Sequence, residues 1–376
     1  MASADPVAPR EAPRRAGLFA ACLVLLCPAI GAAQASTDEI LVSDQMCSGL
    51  FLIPLEWTSK DGETHELLAL FDTGASSAFV DPDAIERISG KRLEAGTRAV
   101  MEHVSVAGME FSTFRPRVRE LDHLGQALGR RFDVFLPFQA FERFLLTLDY
   151  GRNEVRVSRG SLPRPDKVEI FSSRGRDSRP WIKTRVGSRN RKLLLDSGSN
   201  GTISVRPHRS IRWAGDAKKI RLSQGMSDLR LNEVGRYDGV LRIGSIDFEE
   251  PMVGLTEGTE LVGYDVLRHF VLTFDQSTRR VRMQPLTPRV RMTSRRGTGA
   301  LFRPRENTLE LVRTVPGSPA EAAGLQPGDQ LTHLDGTAIN DRGCRDMQQP
   351  TGTVEYTFLR NATEYRMTVE NAVLVE

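Results

Sequence analysis

An internal repeat constrains this chain more than any other feature of its sequence. Two apolar segments, residues 67–72 and 191–196, each end in an aspartate followed by a hydroxyl residue and a glycine: Asp72-Thr-Gly and Asp196-Ser-Gly. Each copy later closes on an apolar segment ending in another aspartate, 77 residues after Asp72 and 79 residues after Asp196. A shared order of features at nearly equal spacing predicts two copies of one structural unit.

Within each copy the sequence has the pattern of a β protein. Short runs of Val, Ile, Leu and Phe alternate with polar residues and stop at Gly, Pro, Asn or Asp. Short helices are predicted just before the closing strands, at residues 139–143 and 264–269. The sequence therefore predicts two tandem β lobes of one design, at residues 36–163 and 164–287.

The N-terminal 35 residues are typical of a secretory signal peptide. Three arginines within residues 10–15 precede an uncharged apolar run at residues 16–33, and small residues follow up to Ala35. This pattern predicts a signal peptide over residues 1–35 and an exported protein, periplasmic or extracellular. An uncleaved membrane anchor is the alternative, because an apolar run of this length could just span a bilayer.

Charge and cysteine content limit the partners that we expect. Lys and Arg total 51 against 48 Asp and Glu, so a net charge of +3 gives no reason to expect nucleic acid as a partner. No histidines stand at metal-ligand spacing, so neither a metal nor a cofactor is expected. Signal cleavage would leave Cys47 and Cys344. An oxidising compartment permits them to pair, but their positions near opposite ends of the chain leave pairing open.

The two Asp-Thr/Ser-Gly loops carry the candidate chemistry. A carboxylate at the end of a buried strand is costly unless it is hydrogen-bonded or shares a proton. If two such loops meet across a pseudo-twofold axis, one carboxyl pKa rises and the pair holds a single proton. A pair of this kind can activate a water molecule and also donate a proton to a carbonyl, which is general acid–base hydrolysis.

At this point the chain resembles the aspartic proteases, and each lobe by itself resembles a retropepsin subunit. The resemblance rests on residues 71–77 and 195–199 and covers about residues 45–286. It implies a mainly β, bilobal aspartic endopeptidase of two retropepsin-like barrels, in which Asp72 and Asp196 form the catalytic dyad. The resemblance assigns support of the catalytic loops to Thr73, Gly74, Ser197, Gly198 and Ser199.

Two finer expectations follow from the resemblance. A hairpin closes over the cleft in this family, and the strand–glycine–strand unit at residues 104–111 is the candidate flap in the first lobe. Ser199 offers a hydroxyl to Asp196, whereas Ala75 offers none to Asp72. We therefore expect Asp196 to be the ionised partner and Asp72 to carry the proton.

One departure from the family pattern keeps a second function open. The family has two apolar residues and a glycine late in each lobe, which the second copy keeps as residues 261–263. The first copy has Pro137 at the glycine position, and proline lacks an N–H group and fixes φ. The alternative to an exported endopeptidase is therefore a degenerate pair of lobes that binds peptides without cleaving them.

The C-terminal segment forms a separate module. Residues 315–336 closely resemble the centre of PDZ domains, with Ser318 as the N-cap of a short helix. The resemblance predicts an α+β PDZ domain at residues 288–376. Its carboxylate-binding loop would be formed by Gly299, Ala300, Leu301 and Phe302, which would hold a peptide C-terminus while the peptide adds as a strand. The alternative is a domain that only braces the lobes. The expected partners are peptides or unfolded protein, and the expected state is a monomer.

Overall fold

The computed structural model describes residues 39–111, 114–175, 177–225 and 229–376. The predicted signal peptide, residues 1–35, lies outside them. The chain is mainly β, with 48% strand and 9% helix, which confirms the mainly β part of the expected fold class.

The first repeat spans residues 40–158. Its elements are β1 (Ile40–Ser43), β2 (Gln45–Cys47), β3 (Leu50–Thr58), β4 (Thr64–Asp72), β5 (Phe79–Val80), α1 (Pro82–Ser89), β6 (Val104–Val106), β7 (Met109–Phe111), β8 (Arg117–Val118), α2 (Asp122–Leu128), β9 (Val134–Pro137), a 3-10 turn (Phe138–Phe141), β10 (Leu145–Asp149) and β11 (Glu154–Ser158).

The second repeat spans residues 170–285. Its elements are β12 (Ile170–Ser172), β13 (Trp181–Val186), β14 (Arg189–Leu195), β15 (Ile203–Val205), β16 (Lys218–Gln224), β17 (Leu229–Arg236), β18 (Val240–Ile243), β19 (Ile246–Glu249), β20 (Met252–Leu255), β21 (Leu261–Val262), α3 (Tyr264–Leu267), β22 (Phe270–Asp275) and β23 (Arg280–Pro285). The short helices expected before the closing strands are thus present in both repeats.

The remaining elements belong to the C-terminal part. They are β24 (Arg289–Arg291), β25 (Arg295–Gly297), β26 (Ala300–Arg305), β27 (Thr308–Thr314), α4 (Pro319–Ala322), β28 (Gln330–Leu334), β29 (Thr337–Ala338), a 3-10 turn (Ile339–Asp341), β30 (Thr353–Arg360), β31 (Thr363–Glu370) and β32 (Ala372–Val375). β24 pairs with β19 of the second repeat, whereas β26 to β31 form a separate sheet.

The two repeats share one strand arrangement around their Asp-Thr/Ser-Gly loops. β4 runs parallel to β9, and β5, the strand after the loop, runs antiparallel to β9. β14 likewise runs parallel to β21, and β15 runs antiparallel to it. Each aspartate therefore emerges at the end of a strand held between its neighbours. Identical pairing in both copies is the structural counterpart of the sequence repeat.

A six-stranded sheet joins the repeats, in the order β1-β11-β10-β22-β23-β12. The order is symmetric about its centre, where β10 pairs antiparallel with β22 and Thr147 lies opposite Thr273. The hydroxyls of these two threonines are hydrogen-bonded at 3.1 Å. The repeats are therefore continuous through a shared sheet, and one apolar core that includes Phe71 and Leu195 extends through both.

The C-terminal domain has its own smaller core, formed around Leu311, Leu331 and Phe358. Its helix α4 begins as expected at Ser318, whose side chain accepts a hydrogen bond from the backbone N–H of Glu321. The edge strand β26 lies beside β16 of the second repeat and α2 of the first. The side chain of Gln126, in α2, donates a hydrogen bond of 2.9 Å to the carbonyl of Glu306.

A disulfide fastens the C-terminal domain to the first repeat. Cys47 and Cys344 are bonded across a sequence separation of 297 residues, which resolves the pairing that the sequence left open. Beside the disulfide, Ser48 Oγ donates to the carbonyl of Leu128 (2.8 Å) and accepts from the backbone N–H of Arg345 (2.8 Å).

We expect the double substitution Cys47→Ser, Cys344→Ser to lower the free energy of unfolding by about 2–5 kcal/mol. The cross-link removes conformational freedom from the unfolded chain, and this effect is large for a long loop. Chemical denaturation of the chain lacking residues 1–35 measures it. Reductant should lower the denaturation midpoint of the wild type to that of the double variant, and it should not change the midpoint of the variant. Equal midpoints without reductant would contradict this expectation.

Candidate active site

The two Asp-Thr/Ser-Gly loops meet and are hydrogen-bonded to each other across the repeat boundary. Thr73 Oγ1 donates to the carbonyl of Leu195 (2.7 Å) and accepts from the backbone N–H of Ser197 (2.9 Å). In return, the N–H of Thr73 donates to Ser197 Oγ (3.0 Å), and that hydroxyl lies 3.4 Å from the carbonyl of Phe71. Both hydroxyl residues are buried. The reciprocal bonds fix the two loops face to face.

The glycines of the two loops allow each carboxyl group to lie against the opposite backbone. A Cβ built at Gly74 would be 2.6 Å from Asp196 Cγ, and one at Gly198 would be 2.3 Å from Asp72 Cγ. Only glycine fits at such distances. The two carboxyl groups therefore lie close enough for each to shift the pKa of the other. The structure thus brings together the two aspartates that the sequence singled out.

The electrostatics of the pair favour one shared proton. Burial raises the pKa of Asp72, although hydrogen bonds from Asp196 and from backbone N–H groups oppose the shift. Burial also raises the pKa of Asp196, and the adjacent charge of Asp72 raises it further, well above its ordinary value. Each side chain nevertheless remains only half-buried. A water molecule or a substrate carbonyl can therefore reach the pair.

Backbone donors stabilise both carboxyl groups. Asp72 Oδ1 accepts a hydrogen bond from the N–H of Gly74, and Asp196 Oδ1 accepts one from the N–H of Gly198 at 3.0 Å. Such donors stabilise the charged form of a carboxyl group. Ser199 Oγ accepts from the N–H of Gly201, at 3.4 Å. Because the two carboxyl groups have matching backbone donors, the expectation that Asp196 is ionised and Asp72 carries the proton stays a prediction.

Arg179 is a site residue that the sequence analysis missed. Its Nη1 donates to the carbonyl of Gly74 (2.8 Å), and its charge lowers the pKa of both aspartates. Asp177 holds Arg179 through Nε (3.0 Å) and Nη2 (2.7 Å), and also accepts from the indole of Trp181 (2.8 Å). Burial raises the pKa of Asp177, but these hydrogen bonds outweigh it and lower the pKa to about 2. The chain has 51 basic residues, and no local sequence pattern around Arg179 indicates that it belongs to the site.

Pro137 does not distort the first loop. It pairs with Asp72 in the parallel register. In the second repeat, the N–H of Gly263 donates to the carbonyl of Thr202 (3.1 Å). Pro137 has no such donor, but the matching carbonyl in the first repeat, that of Ala78, accepts from the N–H of Arg117 (3.0 Å). The carbonyl of Ala78 is therefore satisfied without a donor at position 137.

The hairpin predicted as the flap of the first repeat pairs with β3. In this hairpin of residues 104–111, Val104 lies opposite Trp57 and Ser105 opposite Glu56. Its closure over the cleft stays a prediction. The strand–glycine–strand pattern predicted the hairpin correctly but carried no information about where it docks.

The second repeat has a hairpin that does reach its aspartate loop. β16 and β17 pair with each other, and Arg221 of β16 donates from Nη2 to Asn200 Oδ1 at 2.9 Å. Asn200 follows Asp196 by four residues. The larger of two prominent surface crevices, about 700 Å³, lies elsewhere, between α2 and β26.

The predicted peptide-binding segment of the C-terminal domain begins at Gly299, which has a left-handed φ of +86° and lies against Ser318. Ala300, Leu301 and Phe302 continue it as the first half of edge strand β26. Phe302 packs on Tyr356, with ring centroids 5.7 Å apart. The segment has an unpaired sheet edge, but that edge lies beside β16 and α2.

Comparison with known families identifies this part of the chain. The PDZ domain family matches residues 312–349. A PDZ domain is present. The match includes β27 from residue 312, α4 and β28, which confirms the module that the sequence predicted. No curated protein matches the chain.

Within residues 39–111, 114–175, 177–225 and 229–376, no three His, Cys, Asp or Glu side chains are grouped so as to bind a metal ion. No helix in the same ranges has the length and apolar content needed to cross a membrane.

Proposed function

We propose that this protein is an exported, metal-independent aspartic endopeptidase in which Asp72 and Asp196 activate a water molecule for peptide-bond hydrolysis. The observation that carries the proposal is the close approach of the two carboxyl groups, each against the glycine of the opposite loop, held by reciprocal bonds between Thr73 and Ser197. The ionised carboxylate accepts a proton from water as the water attacks, and the protonated carboxyl donates to the scissile carbonyl. Neither step requires a covalent intermediate.

The surroundings of the pair support hydrolysis over simple binding. The pair is half-buried and bears raised pKa values, which keep one proton available for transfer. Both loops make the same internal hydrogen bonds: Ala75 N–H to the Asp72 carbonyl (3.2 Å) and Ser199 N–H to the Asp196 carbonyl (3.2 Å). The first loop keeps this geometry although Pro137 stands at the family's glycine position. Pro137 therefore gives little reason to favour a degenerate binding protein.

The PDZ domain indicates peptide recognition as a second capability of the chain. Its segment from Gly299 to Phe302 is our candidate for binding a peptide C-terminus. The position of β26 beside β16 and α2 also fits the alternative in which the domain braces the repeats. In either role, the domain would act next to the proposed substrate path.

Digestion of an unfolded protein between about pH 3 and pH 7 tests the proposed function. We expect internal cleavage that is blocked by pepstatin, a statine-containing peptide mimic of the hydrated amide, and is unaffected by a metal chelator. Cleavage should decline as the pH rises above the raised pKa of the pair, because the general acid is then lost. Binding of pepstatin without cleavage at any pH would favour the peptide-binding alternative, and absence of both would overturn the proposal.

A further inference from the structure

Arginine side chains from three separate segments converge beside the loop that follows Asp196. We call Arg221, Arg295 and Arg345 the arginine cluster. Arg221 comes from β16, Arg295 from β25, and Arg345 from the segment next to Cys344. The guanidinium of Arg221 lies on Gly201, whose carbonyl accepts a hydrogen bond of 2.9 Å from the N–H of Asp265, the ion-pair partner of Arg295. The charges of Arg295 and Arg345 both act on Arg221. The cluster is therefore built jointly by the second repeat and the C-terminal domain.

Arg221 is held close to the aspartate loop. Its Nη2 donates to Asn200 Oδ1 at 2.9 Å, and its guanidinium lies on Gly201, where a Cβ would be 1.7 Å from Nη1. No other residue at position 201 would leave room for it. Burial, together with the charges of Arg295 and Arg345, lowers the pKa of Arg221 to about 10. The side chain is thus a desolvated cation, yet it remains only half-buried.

The negative charge acting on the cluster does not balance it. Asp265 forms an ion pair with Arg295, and both side chains keep little exposure, 14% and 21%. Arg345 is exposed, and its backbone is fixed by the bond to Ser48 and by the adjacent disulfide. Among the described residues, the charge of Asp265 acts on Arg221 and Arg345 as well as on its partner Arg295, while the charge of Arg342 adds to the positive charge near Arg345. Convergent cations of this kind favour an anion, and guanidinium groups match carboxylates in particular.

The cluster lies within reach of a substrate bound at the aspartate pair. Asn200 follows Asp196 by four residues, which limits the separation of their Cα atoms to about 14 Å. An extended peptide advances about 3.3 Å per residue. A carboxylate three or four residues from the scissile bond would therefore reach Arg221.

We propose that the arginine cluster is a carboxylate-binding subsite at one end of the substrate path, selecting peptides with an acidic group three or four residues from the cleaved bond. The inference rests on the proposed endopeptidase function. The acidic group is an Asp or Glu side chain or the C-terminal carboxylate of the substrate. Charge-assisted bonds to a desolvated guanidinium supply the selectivity.

Matched peptides test the subsite. One series places a single Glu or Gln at each position up to five residues on either side of the cleaved bond. A second series ends in a free carboxylate or an amide at those distances. The enzymes are the wild type, Arg221→Gln, Arg345→Gln and the control Lys218→Gln, which removes an exposed charge from the same strand. Cleavage gives kcat/KM, and fluorescence anisotropy on the Asp72→Asn variant measures binding without turnover.

In the first series, we expect the Glu peptide to exceed the matching Gln peptide in kcat/KM at least about tenfold at one position. In the second series, the peptide with a free carboxylate should exceed the matching amide by the same factor at one length. Arg221→Gln and Arg345→Gln should bring that ratio close to one, and Lys218→Gln should preserve it. The series that responds identifies the source of the carboxylate. Cleavage with no charge preference, or a preference that survives both variants, would overturn the subsite. Absence of all cleavage would refute the endopeptidase, whereas anisotropy would still test the subsite by itself.

Discussion

Replacing Asp72 with Asn should lower kcat/KM by about 10³-fold or more while leaving the protein folded. The substitution keeps the shape of the side chain but removes the ionisable group that, paired with Asp196, accepts the proton of the attacking water. A discontinuous peptide-cleavage assay at the optimum pH measures the loss. Asp196→Asn should have a comparable effect, because the pair acts as one unit and neither carboxyl group works alone.

The stability of Asp72→Asn provides the matching control. The folded pKa of Asp72 is raised above its unfolded value, so this carboxyl contributes stability below the unfolded pKa that is lost as the pH rises through the folded pKa. Removal of the charge should therefore leave the melting temperature at neutral pH equal to or above that of the wild type. The control variant is Asp149→Asn, at the end of the closing strand β10 of the same repeat, and it should retain the peptide-cleaving activity of the wild type. Full activity of Asp72→Asn would exclude the proposed mechanism.

Replacing Gly198 with Ala should reduce kcat about 100-fold or more. The added Cβ would lie 2.3 Å from Asp72 Cγ, a separation that real Cβ atoms do not adopt, so the carboxyl of Asp72 must move away from Asp196. A displacement of about 1 Å in a reacting group costs on the order of 10²-fold in rate. Steady-state kinetics should show the loss mainly in kcat, since the rest of the substrate path is unchanged.

Gly254→Ala is the control for this substitution. A Cβ at Gly254 has its nearest neighbour at 3.6 Å, Ser204 Oγ, which is ordinary van der Waals contact. Both variants introduce one methyl group into strand or loop backbone of the second repeat, yet only the first touches the aspartate pair. Equal activity of Gly198→Ala and Gly254→Ala would show that close contact between the two carboxyl groups is not required for catalysis.

The sequence predicted the fold where local patterns repeat. Apolar runs broken by turn residues predicted a mainly β chain, and the matched spacing from Asp72 and Asp196 to the closing aspartates predicted two copies of one structural unit. Ser318, Pro319 and the turn residues after them fixed the short helix of the PDZ domain. These features depend on neighbouring residues, and therefore a single sequence contains them.

The features that the sequence could not predict depend on contacts between distant segments. Arg179 reaches the loop of the other repeat, and Arg117 donates to the carbonyl of Ala78. The docking of hairpin 104–111 on the far end of β3 is also a long-range contact. Local residue patterns do not encode such pairings.

The symmetric sheet at the base of the two repeats also restricts how a polypeptide can gain access to the aspartates. β10 and β22 are hydrogen-bonded over five residue pairs, from Leu145 opposite Asp275 to Asp149 opposite Val271. Separating the repeats would break this ladder and expose the apolar interior beneath it. A polypeptide must therefore reach the half-buried aspartates with the two repeats still joined, along a path beside β16, whose Arg221 is bonded to Asn200 in the loop after Asp196.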